Sequence, residues 1–261
     1  MPIHQHLFLC KFQSFRVSIE IMTVTIVPSE SIKYPYAPPR EIAPSLWTLD
    51  GAWSNSLGRR MTVLRLRNNE VWIHNPMQLM EADLNWLASL GFVRGIIAPN
   101  KWHVSDLCWM SEKFPQAQIA CPQSFLDKNT QLQERVLFTT DVPYVTPCRE
   151  LEFFAVPGVR IEETVVFHPL TRSLIVCDLM MNMKAEGSGL QRALFKLNNM
   201  GDCCAPTRIL KWAFTSDSSE LLAFVEQMAE LNPRRIIVNH GEIFEGEGGN
   251  QIRTSFASLF R

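Results

Sequence analysis

Three short apolar runs confine this chain to folds built on buried strands. Ile96-Ile97-Ala98 stops at Pro99-Asn100 with His103 just beyond, Leu174-Ile175-Val176-Cys177 stops at Asp178, and Ile236-Ile237-Val238 stops at Asn239-His240. Consecutive aliphatic residues with no polar alternate fit strands covered on both faces, as in layered α/β folds. In such sheets ligand sites lie at strand ends. Three runs ending on Asn, Asp or His therefore point to one polar pocket on a rigid frame.

The remaining pattern supplies the connections. Residues 41–51 alternate apolar and polar and read as a first strand ending at Asp50-Gly51. Residues 61–66 and 71–74 read as a hairpin turning at Asn68-Asn69. Leu84, Leu87 and Ala88 set a helix over residues 81–90 that Gly91 stops, leading into the strand 95–98. Residues 105–114 read as a second helix with Ser105 as its cap, and 118–120 as a short strand before Cys121-Pro122. After residue 150 strands follow over 151–156, 164–167 and 174–177, then a Met-, Asn- and Gly-rich segment, 180–208, positioned to cover the site. A helix capped within Ser216-Asp217-Ser218-Ser219-Glu220 precedes the last strand, 235–239, and Gly246-Glu247-Gly248-Gly249 reads as a flexible turn.

Composition narrows the partners. With 261 residues and 46% hydrophobic content the chain can bury one large core, placed at residues 41–261 after a flexible leader and Pro-rich linker, 1–40. Lys+Arg 25 against Asp+Glu 26, without a basic run, argues against nucleic acid. No stretch approaches the ~20 apolar residues of a membrane helix, so a soluble protein without a membrane partner is expected. Seven Cys without CxxC spacing suit a reducing compartment, hence the cytoplasm, or an organelle if the leader is a transit segment.

Five landmarks in order resemble the metallo-β-lactamase fold. They are Ile73-His74-Asn75-Pro76, Asn100-Lys101-Trp102-His103-Val104-Ser105-Asp106, Val156-Pro157-Gly158-Val159, Cys177-Asp178 and Asn239-His240-Gly241-Glu242. More narrowly, Ala98-Pro99-Asn100 with His103, Glu163-Thr164-Val165-Val166-Phe167-His168 and His240-Gly241-Glu242 resemble a subfamily designated a domain of unknown function. The resemblance implies an α/β fold, a four-layer αββα sandwich of two mixed sheets with a metal site at one edge. It also implies a reduced site. Asn100 and Trp102 stand at His positions of the family's dinuclear zinc motif, and Val159 replaces a third. His103, Asp178 and His240 remain as ligands for a single Zn or Fe ion, with Asp178 and His240 catalytic. Asn100, Trp102 and Glu163 are then substrate-binding candidates, and His74 and Glu242 supporting groups. The implied chemistry is hydrolysis of a small ester, thioester or phosphoester. The alternatives are a metal-free small-molecule-binding module and an interaction protein using Leu190, Leu194 or Phe195.

Overall fold

The computed structural model describes residues 35–52, 58–147, 149–184, 189–201 and 203–260. Residues 1–34 of the leader and linker expected over 1–40, and Cys148, lie outside these. The first sheet has seven strands in chain order: β1 (Arg40–Ala43), β2 (Leu46–Gly51), β3 (Arg59–Arg65), β4 (Glu70–His74), β5 (Phe92–Ile97), β6 (Gln118–Cys121) and β7 (Val136–Thr139). Strands β1 to β4 pair antiparallel, and β4 to β7 parallel. The second sheet is ordered β13-β12-β11-β10-β9-β8, from β8 (Tyr144–Val145), β9 (Glu152–Ala155), β10 (Thr164–His168), β11 (Ser173–Ile175), β12 (Arg235–Ile237) and β13 (Phe244–Glu245). Only β11 and β12 pair parallel there. Parallel neighbours need crossovers. Helices α1 (Glu81–Leu90), α2 (Leu107–Lys113) and α3 (Gln123–Leu126) supply them in the first half. In the second half α4 (Gly189–Leu197) and α5 (Ser218–Glu230) do so, and α6 (Gly248–Phe260) closes the chain.

Side-chain alternation sorts the apolar residues into three cores. Val71, Ile73, Ile96 and Ile119 face the core that includes Leu87 of α1 and Met110 of α2. Val165, Leu174, Val176, Ile236 and Val238 face the core shared with α5 and α6. The residues between them in sequence, Trp72, Ile97, Ala120, Val166, Ile175 and Ile237, meet in a third core between the sheets. Three cores separate four layers, the αββα sandwich, and explain why these strands read as unbroken apolar runs.

Several elements differ from their sequence reading. The alternation over 41–51 is two strands, because Ser45 takes a left-handed conformation (φ 63°) and reverses the chain. Helix α2 starts at Leu107, preceded by Asp106 rather than capped by Ser105, and the Asp106 carboxylate is bound by Arg59 and Gln78 instead of capping. The Gly246–Gly249 turn is half helix. Gly248 and Gly249 are buried at the start of α6, where an added Cβ would sit 2.5 Å from the Pro233 carbonyl oxygen and 2.6 Å from that of Ala229. Asp217 caps α5 as expected, accepting from the N–H groups of Ser219 and Glu220.

His168 sits at the end of β10, 1% exposed, with Nδ1 2.8 Å from Thr171 Oγ1. Burial pushes its pKa down to about 4; Glu150 opposes and Arg67 reinforces the shift. The unfolded chain, with a His pKa near 6.5, takes up this proton first, so the native state loses stability as pH falls from about 6.5 to about 4. The loss expected from this residue is about 2–3 kcal/mol. Urea midpoints at pH 7 and pH 4.5 should fall less between the two for His168→Asn than for the wild type; equal falls would contradict the assignment.

Candidate metal centre

The three run ends converge, each through a different local device. After β5, Pro99 and Asn100 turn the chain, and Asn100 Oδ1 accepts from the N–H groups of Trp102 (2.9 Å) and His103 (3.2 Å). With its oxygen committed to backbone donors, the Asn100 amide points the other way: Nδ2 donates to Asp178 Oδ2 at 2.7 Å and lies 3.4 Å from Glu163 Oε2. The same turn delivers His103, which is 6% exposed.

Asp178 is set by Glu163. The Glu163 carboxylate, fully buried, accepts from the N–H groups of Cys177 (2.8 Å), Asp178 (2.9 Å) and Leu179 (3.1 Å), so the chain leaving β11 wraps around it. Burial, and then the charge of Asp178, push the Glu163 pKa upward against these bonds. For Asp178 burial also acts upward, but the charge and hydrogen bonds of His103 and His240 outweigh it and hold the carboxyl below the usual range. Asp178 is thus ionised at neutral pH.

His240 is set from both sheets. Asn239 Oδ1 accepts from the Arg60 N–H (2.9 Å) and from Asn75 Nδ2 (2.5 Å), which turns its own Nδ2 toward His240 Nε2 at 2.9 Å. His240 Nδ1 lies 2.5 Å from the Gly58 carbonyl oxygen. A carbonyl only accepts, so neutral His240 carries its proton on Nδ1 and presents a lone pair at Nε2, the tautomer of a metal ligand held by an outer partner.

That lone pair faces a carboxylate. His240 Nε2 is 3.5 Å from Asp178 Oδ1, His103 Nε2 is 3.3 Å from Asp178 Oδ2, and the two rings are 5.5 Å apart. For bonds of 2.0–2.1 Å the edge of a coordination tetrahedron is about 3.3–3.4 Å, so each of the two His–Asp178 separations is close to one such edge. Cys177, fully buried, adds a further donor: its Sγ and the ligand atoms of His103 and Asp178 lie within 4.8 Å of one another. Burial, with Asp178 and Glu163, pushes its thiol pKa well up against an opposing bond from Asn100. A bound cation reverses that, since a coordinating thiol is deprotonated. Among the described residues His103, Cys177 and Asp178 thus form a group close enough to hold a metal ion, and His240 faces Asp178 beside that group.

The other expected residues fall around this cluster. Trp102 is 40% exposed, edge-on to Phe214 at 4.5 Å, and Val159 pairs with Thr215; neither offers a ligand atom for a second ion. Glu163 is spent on backbone donors rather than facing a substrate. His74 is buried, and its Nε2 has no hydrogen-bond partner among the described residues; burial, then the charge of His103, lower its pKa to about 3 and keep it neutral. Glu242 is exposed and pairs with Lys184 at 3.1 Å. The sequence reading passed over Cys177 as a core thiol. It also missed Arg60, Asn75 and Asn239, whose clues were polar residues at the same strand ends.

Neither a protein-family model nor a curated protein matches the chain. Solved structures do. The DIM-1 metallo-β-lactamase aligns with a TM-score of 0.60 at 14% identity, over 87% of this chain and 99% of its own. Residues 1–254 of diflavin flavoprotein A 5 from Nostoc sp. PCC 7120 align with a TM-score of 0.56 at 13% identity, over 86% and 96%. The chemotaxis sensor ODP, solved as a peroxy diiron species, aligns with a TM-score of 0.53 at 11% identity, over 85% and 94%. With two mixed sheets, outer helices and a polar cluster where the strands end, the chain has the metallo-β-lactamase fold.

Proposed function

We propose that this protein is a metal-dependent hydrolase holding one Zn²⁺ or Fe²⁺ ion on His103, Asp178 and His240, with Cys177 within reach as a fourth donor. The observation that supports it most is the His240 Nε2 lone pair, fixed by the Gly58 carbonyl and aimed at an ionised Asp178 3.5 Å away. With His240 neutral, a cation between them would take up both groups, which otherwise rest on the amide bonds from Asn239 and Asn100. Such an ion supplies Lewis acidity and lowers the pKa of a water toward neutrality. The protein's own groups do the rest. Asn239 and Gly58 orient His240, and Asn100 and Glu163 hold Asp178. Trp102, half exposed against Phe214, offers an apolar wall to the organic part of a small ester, thioester or phosphoester.

A metal-free binding module is the second reading. It is favoured by the amide donors of Asn100 and Asn239, which satisfy Asp178 Oδ2 and His240 Nε2 without an ion. Turnover of 4-nitrophenyl acetate, a thioester analogue and 4-nitrophenyl phosphate by zinc- or iron-supplemented protein separates the two. The hydrolase reading expects turnover that falls at least ~100-fold on chelation and in Asp178→Ala. Turnover indifferent to both changes would contradict the metal-dependent reading, and none on any ester would favour the binding module, to be pursued by ligand-induced shifts in melting temperature.

A further inference from the structure

Five large apolar side chains stand exposed within one short stretch. Leu190, Leu194 and Leu197 of α4 are 73%, 55% and 63% exposed, and Ile209 and Trp212 in the following turn are 51% and 76% exposed. The three leucines, at i, i+4 and i+7, form one stripe along the helix. The turn abuts the end of that stripe, because the Ile209 N–H donates to Asn198 Oδ1 (2.9 Å) and the Arg208 N–H to the Asn198 carbonyl (3.1 Å). Stripe and turn are therefore neighbours at the exposed end of α4. A helix on the outside of a water-soluble domain would ordinarily bury such a stripe.

The charge of this segment has one sign. Arg192 and Lys196, at i and i+4, lie on the other flank of α4, and Arg208 stands at the turn; all three are exposed and none is in an ion pair among the described residues. Lys211 lies over Trp212 at 5.1 Å and donates to the Leu259 carbonyl. Over residues 189–215 the sequence has these four cations against one acid, Asp202, although the whole chain carries a net charge of -1. Exposed leucines and a tryptophan beside Arg and Lys are the makeup of helices that lie in the interface of an anionic bilayer, with the apolar groups among the acyl chains and the cations at the headgroups. A second copy fits this surface less well, since a two-fold contact would set the cations against themselves.

We propose that α4 and the turn 208–212 form a surface that attaches the protein to anionic lipid bilayers. No helix among the described residues is long and apolar enough to cross a membrane, so the contact lies in the interface plane. This revises the expectation of no membrane partner, which rested on the want of a spanning segment alone.

Sedimentation of the full chain with vesicles tests it. Binding to phosphatidylcholine vesicles containing phosphatidylglycerol should exceed binding to phosphatidylcholine alone by roughly tenfold or more and should weaken at high salt. Leu194→Asp and the pair Arg192→Glu/Lys196→Glu should each reduce binding by roughly tenfold or more without lowering the melting temperature, since these side chains are exposed. Equal binding to neutral and anionic vesicles, or variants that bind as the wild type does, would overturn the proposal. So would a lipid-free dimer that Leu194→Asp dissociates, which would make this a self-association face.

Discussion

Replacing Glu163 with Ala should lower the melting temperature by roughly 10 °C or more. The carboxyl group takes three buried backbone N–H groups, those of Cys177, Asp178 and Leu179, and none of the three donates to another backbone acceptor among the described residues. Each buried donor left unpaired costs about 1–3 kcal/mol, and relaxation of the turn returns part of the sum, leaving about 3–5 kcal/mol. In a domain of this size 1 kcal/mol moves the midpoint by about 2–4 °C. Glu163→Gln should cost about half as much or less, because its amide oxygen still accepts from two of the donors. Measured by calorimetry with chelator present, this ranking reports on the turn and not on a bound ion. A Glu163→Ala midpoint within about 2 °C of the wild type would mean that the carboxylate does not organise the turn.

Gly241→Ala should be as damaging, for a steric reason. Gly241 has φ +96°, and a Cβ there would lie 2.0 Å from the Asn182 carbonyl oxygen and 2.3 Å from its carbon. These are backbone atoms that cannot swing aside. The Asn182 N–H donates to the His240 carbonyl (3.0 Å), the Glu242 N–H donates to the Asn182 carbonyl (2.8 Å), and Asn182 Nδ2 donates to the Glu242 carbonyl (2.9 Å). The methyl group must break this stitching, and His240 moves with it. The expected loss is roughly 3 kcal/mol or more in urea unfolding. The adjacent Glu242→Ala, which removes an exposed pair with Lys184, should change stability by no more than about 0.5 kcal/mol. Similar values for the two variants would contradict the packing described.

Much of the frame was legible because burial on both faces leaves a plain mark. The apolar runs at Ile96, Leu174 and Ile236 became β5, β11 and β12, and the Asn68-Asn69 turn joined β3 to β4. Strands β7 and β8 were not legible: Val136-Leu137-Phe138-Thr139 follows a polar stretch without a turn signal, and Tyr144-Val145 is too short for any period. Helix α6 was hidden by the two glycines that open it, whose task is close approach to Pro233 and Ala229. At the site, strand ends brought out His103, Asp178 and His240. The groups that orient them were out of reach of a linear reading, since the Arg60 N–H and Asn239 Oδ1 are partners 179 positions apart. Cys177 went unread because a thiol at the end of an apolar run looks like core until its neighbours are known.

His103, Asp178 and His240 are proposed to hold one cation. Mass-spectrometric metal analysis of untagged protein, grown with zinc and iron supplements, tests it most directly when paired with the Asp178→Ala/His240→Ala variant. About one equivalent of zinc or iron per wild-type chain is expected, and less than about a tenth of that in a variant shown to be folded. Background metal in both proteins, or equal metal in both, would contradict it.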